Sequence, residues 1–299
     1  MKTHPLCIPC TLRAAYNIAR KATDSEEVQR RAVLETLKWL NEEEENLMNI
    51  TPAALHTYAF KIIQRISGNN DPFKYLKKMS NSLAIKMMTI LRREVSDREK
   101  IETVKLAALG AVCGNSIDFE VEGYYASIED LEKMLLSSLK SGLVIDETEK
   151  LIDALSKSRR ILYLLDNAGE IAFDKLFIEV IAENYPIKVI AAVKSRPILN
   201  DATMEDALEV GLHEVAEVIV TGNDYIGLNL EESSEDFRRE IKEANIIIAK
   251  GQGYYESITE VERILNRPIA YMLKAKCPVI AKSLSVPQGS NIIKFVGKI

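Results

Sequence analysis

Ile161-Leu162-Tyr163-Leu164-Leu165-Asp166-Asn167-Ala168-Gly169-Glu170 is an apolar run that breaks off in a polar turn containing glycine. Apolar runs of the same kind, rich in Ile and Val, recur at 187–193, 217–220 and 245–249. Polar, helix-compatible stretches separate them, such as 171–184 and 235–243. Continuous apolar runs alternating with helices predict strands covered on both faces, and therefore an α/β fold with a mostly parallel sheet. The runs at 269–273 and 278–281 are candidates to extend that sheet.

Upstream of residue 158 the pattern is helical. Val28, Ala32, Val33, Leu37 and Leu40 recur at helical spacing, as do Ile101, Val104, Ala108, Ala111 and Val112. Asp24 before Ser25-Glu26-Glu27 supplies a cap and acidic first-turn residues. Thr51-Pro52 and Asp71-Pro72 read as helix starts. The acidic run 42–45 reads as a solvated helix face. The expected organisation is a helical N-terminal region, 1–157, packed on an α/β metal- and phosphate-binding region, 158–299. One continuous domain is the alternative.

Composition narrows the class of partner. The 39 basic and 44 acidic residues balance at −5, and no basic stripe with interleaved aromatics is present. That argues against a nucleic-acid coat or an anionic membrane surface. No apolar stretch approaches the length of a membrane span, and MKTHPLCIPC at the start lacks the apolar run of a signal peptide. Four cysteines do not make a disulfide framework, so a reducing cytoplasm is expected. The sequence carries no expectation about oligomeric state.

Polar residues collect just after the predicted strands. Asp166-Asn167-Ala168-Gly169-Glu170 follows the first, and Lys194 to Thr203, including Asn200-Asp201, follows the second. Thr221-Gly222-Asn223-Asp224 follows the third and Lys250-Gly251-Gln252-Gly253 the fourth. Ligands of open α/β sheets bind outside the carboxyl ends of strands, near a switch in strand order, so these loops are expected to converge. Asp166, Asn167 and Asp201 are hard oxygen donors suited to Mg²⁺ or Mn²⁺. Lys194 and Lys250 can neutralise a phosphate, and the glycines, Gly222 and Gly251 among them, let backbone N–H groups approach an anion. Each loop taken singly also reads as an ordinary turn or helix cap; their repetition at successive strand ends favours a site.

Other signals are weaker. Cys7 and Cys10 can pack, pair or bind a metal, with His4, Cys113 and Cys277 as further candidates. A structural or metal-stabilising role ranks above catalysis for this pair. His56 and His213 stand alone and read as surface or core residues. Tyr254 and Tyr255 sit near the expected cleft and can contact substrate. No Gly-x-x-x-x-Gly-Lys-Ser/Thr loop, Gly-x-Ser-x-Gly elbow, His-Glu-x-x-His or Asp-x-Asp pattern occurs.

At these residues the chain resembles the DUF89 family, the damage-control phosphatases with an ARMT1-like metal-binding domain. Asp166-Asn167-Ala168-Gly169-Glu170, Pro197-Ile198-Leu199-Asn200-Asp201-Ala202-Thr203, Lys250-Gly251-Gln252-Gly253 and Gly114-Asn115-Ser116-Ile117-Asp118 carry the resemblance. Cys7-Ile8-Pro9-Cys10 is similar to the Cys-x-x-Cys of the prokaryotic and archaeal branch. Tyr254 departs from the family pattern, where Asn follows Gly253. The resemblance implies a phosphatase of small phosphorylated metabolites, such as sugar phosphates, nucleotides or pantetheine-type phosphates, that uses a divalent cation (Mg, Mn, Co or Ni). It implies that Asp166, Asn167 and Asp201 hold the metal and that Asn115, Asp118, Glu170 and Lys250 surround the phosphate. Asp166 and Asp201 can each be ligand or nucleophile. Two other functions compete: a non-catalytic sensor of a phosphometabolite, and a carboxyl methyltransferase. Against the methyltransferase stands the lack of a Gly-x-Gly loop followed by an acidic ribose contact.

Overall fold

A computed structural model of the chain describes residues 1–96, 98–115, 120–121, 124–125 and 127–298. The helical half holds α1 (Cys7–Ala22), α2 (Glu26–Glu42), α3 (Pro52–Ser67), α4 (Lys74–Val95) and α5 (Lys100–Gly114). The cap of α2 is Ser25, whose Oγ accepts the Val28 N–H, and not Asp24 one residue earlier. Thr51 caps α3 and Pro52 occupies its first turn, where a missing N–H costs nothing. Asp71-Pro72 makes a turn before α4, with Asp71 Oδ1 accepting the Phe73 N–H. The acidic run 42–45 lies largely in a turn after α2, and not on a helix face.

A short antiparallel pair, β1 (Glu120–Val121) and β2 (Tyr124–Tyr125), precedes α6 (Ile128–Ser141), β3 (Ile145–Asp146) and α7 (Thr148–Lys157). The alternating half follows as β4 (Arg160–Leu164), α8 (Glu170–Asn184), β5 (Lys188–Val193), α9 (Met204–Glu209), β6 (Glu217–Val220), α10 (Glu235–Glu243) and β7 (Ile246–Lys250). It ends with α11 (Gly251–Ile258), α12 (Glu262–Leu265), β8 (Ile269–Lys274), α13 (Pro278–Leu284) and β9 (Asn291–Val296). Seven strands form one sheet in the order β3-β9-β8-β7-β4-β5-β6. All its pairings are parallel except β8 with β9.

The sheet is therefore the mostly parallel one expected, with two corrections. Residues 278–281 do not extend it; they start α13, with Pro278 in the first turn and Cys277 Sγ accepting the Ile280 N–H. The last strand is instead β9, and the edge strand β3 comes from the helical half.

Alternate strand residues explain the continuous apolar runs. Ile161, Tyr163, Ala191 and Ile248 point to one face, where they share a core with α5 and α8. Leu162, Leu164, Ile190 and Ala249 point to the other, against Phe237, Ile258 and Ile280. The first of these cores also takes Met87, Leu91, Leu151 and Leu155 from before residue 158. The two regions thus share a core and a sheet. Among the described residues, no helix is long and apolar enough to cross a membrane.

Candidate active site

β4 and β7 are neighbours at the middle of the sheet, although β5 and β6 intervene between them in the chain. From this pair the chain moves outward in opposite directions, and a crevice opens where it does so. Asp166 stands two residues past β4, and Lys250 is the last residue of β7.

Backbone hydrogen bonds bring the second strand-end loop onto the first. The Ala168 N–H donates to Asn200 O at 2.9 Å, and the Ala202 N–H to Asp166 O at 2.8 Å. Asn167 and Asp201 form an isolated antiparallel bridge. Thr203 and Asp206 close a capping box at the start of α9, which stiffens the exit of the loop. Gly169, with φ of 80°, precedes α8, and its N–H donates to Asn81 Oδ1 at 2.7 Å. Asn81 in turn donates to Asp206 Oδ1 at 3.0 Å and Glu209 Oε2 at 2.7 Å, so α4 clamps both loops.

The side chains make two linked networks. Asn115 Nδ2 donates to Asp166 Oδ2 at 3.0 Å and Glu170 Oε2 at 2.5 Å. Asn167 Nδ2 bridges the same two carboxylates at 2.8 and 3.3 Å. Deeper in, Lys250 Nζ donates to Glu170 Oε1 and Asp174 Oδ1 at 2.6 Å each, and to Ala111 O at 2.9 Å. Tyr163 OH also donates to Asp174 Oδ1, at 2.6 Å. Lys194 Nζ donates to Gly227 O at 2.7 Å and to Tyr254 OH at 3.1 Å, and lies 3.8 Å from Asp201 Oδ2.

Four buried carboxylates, Asp166, Glu170, Asp174 and Asp201, face two buried ammonium groups, Lys194 and Lys250. That leaves negative charge in excess. Burial, Glu170 and Asp201 push the Asp166 carboxyl well above its usual range. Burial pushes Asp201 up to about 6 against the pull of Lys194, and Asp174 up to about 6 against the pull of Lys250. Burial drives Lys194 down from the usual lysine range, while at Lys250 the carboxylates of Asp174 and Glu170 outweigh burial and hold the charge on.

The donor set fits a hard divalent cation. Asp201 Oδ2 and Asn115 Oδ1 are buried without a hydrogen-bond partner among the described residues. A cation beside Asp166 and Asp201 would satisfy the first and offset the excess charge. Among the described residues, no three His, Cys, Asp or Glu side chains form a ready-made cage. The donors are two carboxylates with amide oxygens, an open set that leaves positions for water and a phosphate.

Several expected site residues behave differently. All three Lys250 donors are committed to the protein and the side chain is fully buried, so it touches a phosphate only by giving up one of those bonds. The expected polarisation of a phosphate by Lys250 therefore competes with its bonds to Glu170, Asp174 and Ala111. Lys194 is also fully buried, under the Tyr254 ring, which is 4.4 Å away at its centroid. Tyr254, at the departure from the family pattern, is thus a wall of the site. Tyr255 OH accepts from Ser283 Oγ. Gly222 lies apart from the carboxylates: its N–H donates to Ser195 Oγ at 2.6 Å, and Ser234 leaves no room for a side chain. Asp118 falls outside the described residues.

Asp174, Tyr163 and Asn81 were not anticipated. A signal existed for Asp174: it stands four residues after Glu170, on the same face of a helix that otherwise reads as apolar.

A cluster of carboxylates and amides at the switch point of a mostly parallel sheet defines an α/β protein whose crevice is lined by oxygen donors. The chain belongs to the Damage-control phosphatase ARMT1-like domain family, whose model matches residues 3–292. Over 292 residues it is 37% identical to a damage-control phosphatase of Pyrococcus horikoshii, covering 98% of this chain and 97% of that one. Over 297 residues it is 33% identical to a damage-control phosphatase of Archaeoglobus fulgidus, covering 99% and 100%. An uncharacterized protein of Methanocaldococcus jannaschii is 38% identical over 295 residues, covering 98% and 95%. The crystal structure of a DUF89 family protein from Pyrococcus horikoshii superposes with a TM-score of 0.88 at 35% identity, covering 98% of each chain. These relatives support a phosphatase role in the family.

Proposed function

We infer that the chain hydrolyses small phosphate monoesters with a divalent cation held by Asp166, Asp201 and the amide oxygen of Asn167. The observation that carries the reading is the excess of buried carboxylate at the strand switch point, with Asp201 Oδ2 lacking a hydrogen-bond partner among the described residues. A cation there supplies Lewis-acid polarisation of the phosphoryl oxygens.

The protein's own groups do the rest. Lys250 holds Glu170, and Glu170 with Asp166 orients the amides of Asn115 and Asn167. Asp201 Oδ2, buried without a hydrogen-bond partner among the described residues, is the oxygen that would face the cation, and the water that attacks phosphorus in line gives up its proton to solvent. The new bond joins water oxygen to phosphorus, the ester P–O bond breaks, and the departing alkoxide takes a proton from solvent.

The test is turnover of sugar phosphates, nucleotides and p-nitrophenyl phosphate by protein stripped of metal, with Mg²⁺, Mn²⁺, Co²⁺ or Ni²⁺ added back. Asp166→Ala and Asp201→Ala are expected to lose at least about 100-fold in kcat. Absence of turnover with every cation, beside retained binding of phosphate ligands, assigns a sensor in place of an enzyme.

A further inference from the structure

A cavity of about 490 Å³ lies between α1, the start of α3, α11 and the turn that enters α13. Its walls are largely apolar, with Leu6, Pro52 and Val279 among them. It adjoins the carboxylate centre. Gln252 lines it and directly follows Gly251, whose backbone presses against Asp166. Gln252 Oε1 accepts the backbone N–H of Lys276 at 2.8 Å and of Cys277 at 3.2 Å, which fixes the α13 turn to the same wall. Burial, Glu170 and Asp201 raise Asp166, and Lys276 is foremost among the cations opposing them.

The polar groups of the cavity are unevenly committed. Among the described residues, neither the Arg13 guanidinium nor the Lys276 ammonium makes a hydrogen bond or ion pair, and the His56 imidazole also lacks a partner. Burial lowers His56 below the usual histidine range, so at neutral pH it offers one donor and one acceptor and no charge. Glu256 is the cavity's acidic residue. Its carboxylate form is supported by the Ala53 N–H at the start of α3, while burial pushes the carboxyl up to about 7. Two exposed cations from separate elements therefore line an apolar-walled space beside the carboxylate centre, Lys276 acting also on Asp166 and Arg13 without an ion pair among the described residues.

We propose that this cavity receives the alcohol portion of the phosphate monoester, and that Arg13 and Lys276 select substrates whose alcohol portion carries a second anionic group. A carboxylate or another phosphate fits equally. The inference rests on the phosphatase reading for its phosphate end. The apolar walls bury the organic body, and the two cations reward a charge at its far end.

The experiment compares phenyl phosphate with 4-carboxyphenyl phosphate in the metal-loaded full chain. Wild type is expected to favour the carboxylated ester in kcat/KM by at least about tenfold, the equivalent of about 1.4 kcal/mol. In the Arg13→Ala/Lys276→Ala double variant that ratio should fall close to one, and Arg13→Lys should retain part of it. Because the readout is a ratio, a general loss of activity or of folded protein cancels. A wild-type ratio near one, or a ratio unchanged in the double variant, overturns the proposal.

Calorimetry with phenylphosphonate and 4-carboxyphenylphosphonate reads the same preference without turnover. Protection of the half-buried Cys10 thiol from iodoacetamide by the carboxylated phosphonate locates the ligand in the cavity. Preferential binding that protects Cys10, without turnover, sinks the phosphatase reading and leaves the subsite standing. Turnover without preference sinks only the subsite.

Discussion

Gly251 stands at φ of +75°, and a Cβ built there would meet Asp166 Oδ2 at 1.9 Å. Both the left-handed backbone and the contact exclude any other residue unless Asp166 moves. Gly251→Ala is expected to cost about 2–3 kcal/mol in stability, from backbone strain and overpacking, and to be read by urea unfolding. Its kcat/KM should fall at least about 100-fold. A fully active Gly251→Ala protein contradicts the requirement for Asp166 in its present position. At this scale the position of Asp166 and Asn167 in the crevice was legible because they follow an apolar run directly, and that of Asp201 because the polar loop from Lys194 to Thr203 follows the next one. The commitments of Lys250 were not: one of its three acceptors is the backbone carbonyl of Ala111, and no residue type announces a carbonyl.

Helix α11 begins at the site and carries Glu256 back toward the start of α3, so one short element couples the crevice to the helical half. Unfolded, the Glu256 carboxyl titrates near 4.5; folded, burial raises it to about 7. Between those values the folded chain keeps a proton that the unfolded chain has released, so stability falls as pH rises through this window and levels off above it. Glu256→Gln cannot ionise. It should match wild type near pH 4.5 and exceed it by about 1–2 kcal/mol at pH 8, the half-buried position reducing the full effect. Denaturant midpoints at the two pH values check this, and an equal offset at both counts against it. A second coupling runs through α4. Asn81→Ala removes an acceptor from Gly169 N–H and a donor from Asp206, and about 2 kcal/mol of stability should go with it, with a fall in kcat. Among elements, apolar runs set between helical stretches were legible as strands, down to the four residues of β6, and the run before the C-terminal strand was not. A four-residue apolar run such as 278–281 is too short to separate strand from helix period, and the proline favours a helix start as much as an edge strand. β9 escaped notice because Lys294 splits its apolar residues into two pairs, Ile292-Ile293 and Phe295-Val296.

Across the whole molecule, the negative excess at the crevice would make the proposed cation a source of stability as well as of chemistry. At a cation concentration of about 100 times Kd, binding contributes about 2.7 kcal/mol, and the melting temperature should rise by about 5 °C. Scanning calorimetry of chelator-treated protein with and without Mn²⁺ measures this. In Asp201→Asn the shift should shrink markedly, and an undiminished shift removes Asp201 from the donor set. The division into a helical and an alternating half was legible from periodicity alone. Their common core was not, because the pairing of β3 with β9 spans about half of the chain between residues with no local signal for each other.

β4 is bonded to β7 on one side and β5 on the other, and the loop carrying Asp201 is pinned to the residues after β4 by backbone bonds. Fraying that begins at the outermost strands must pass through four ladders from β3, or two from β6, before it reaches β4 and Asp166. Heat should therefore silence the enzyme at the temperature where the chain as a whole comes apart, with no earlier inactive but folded stage.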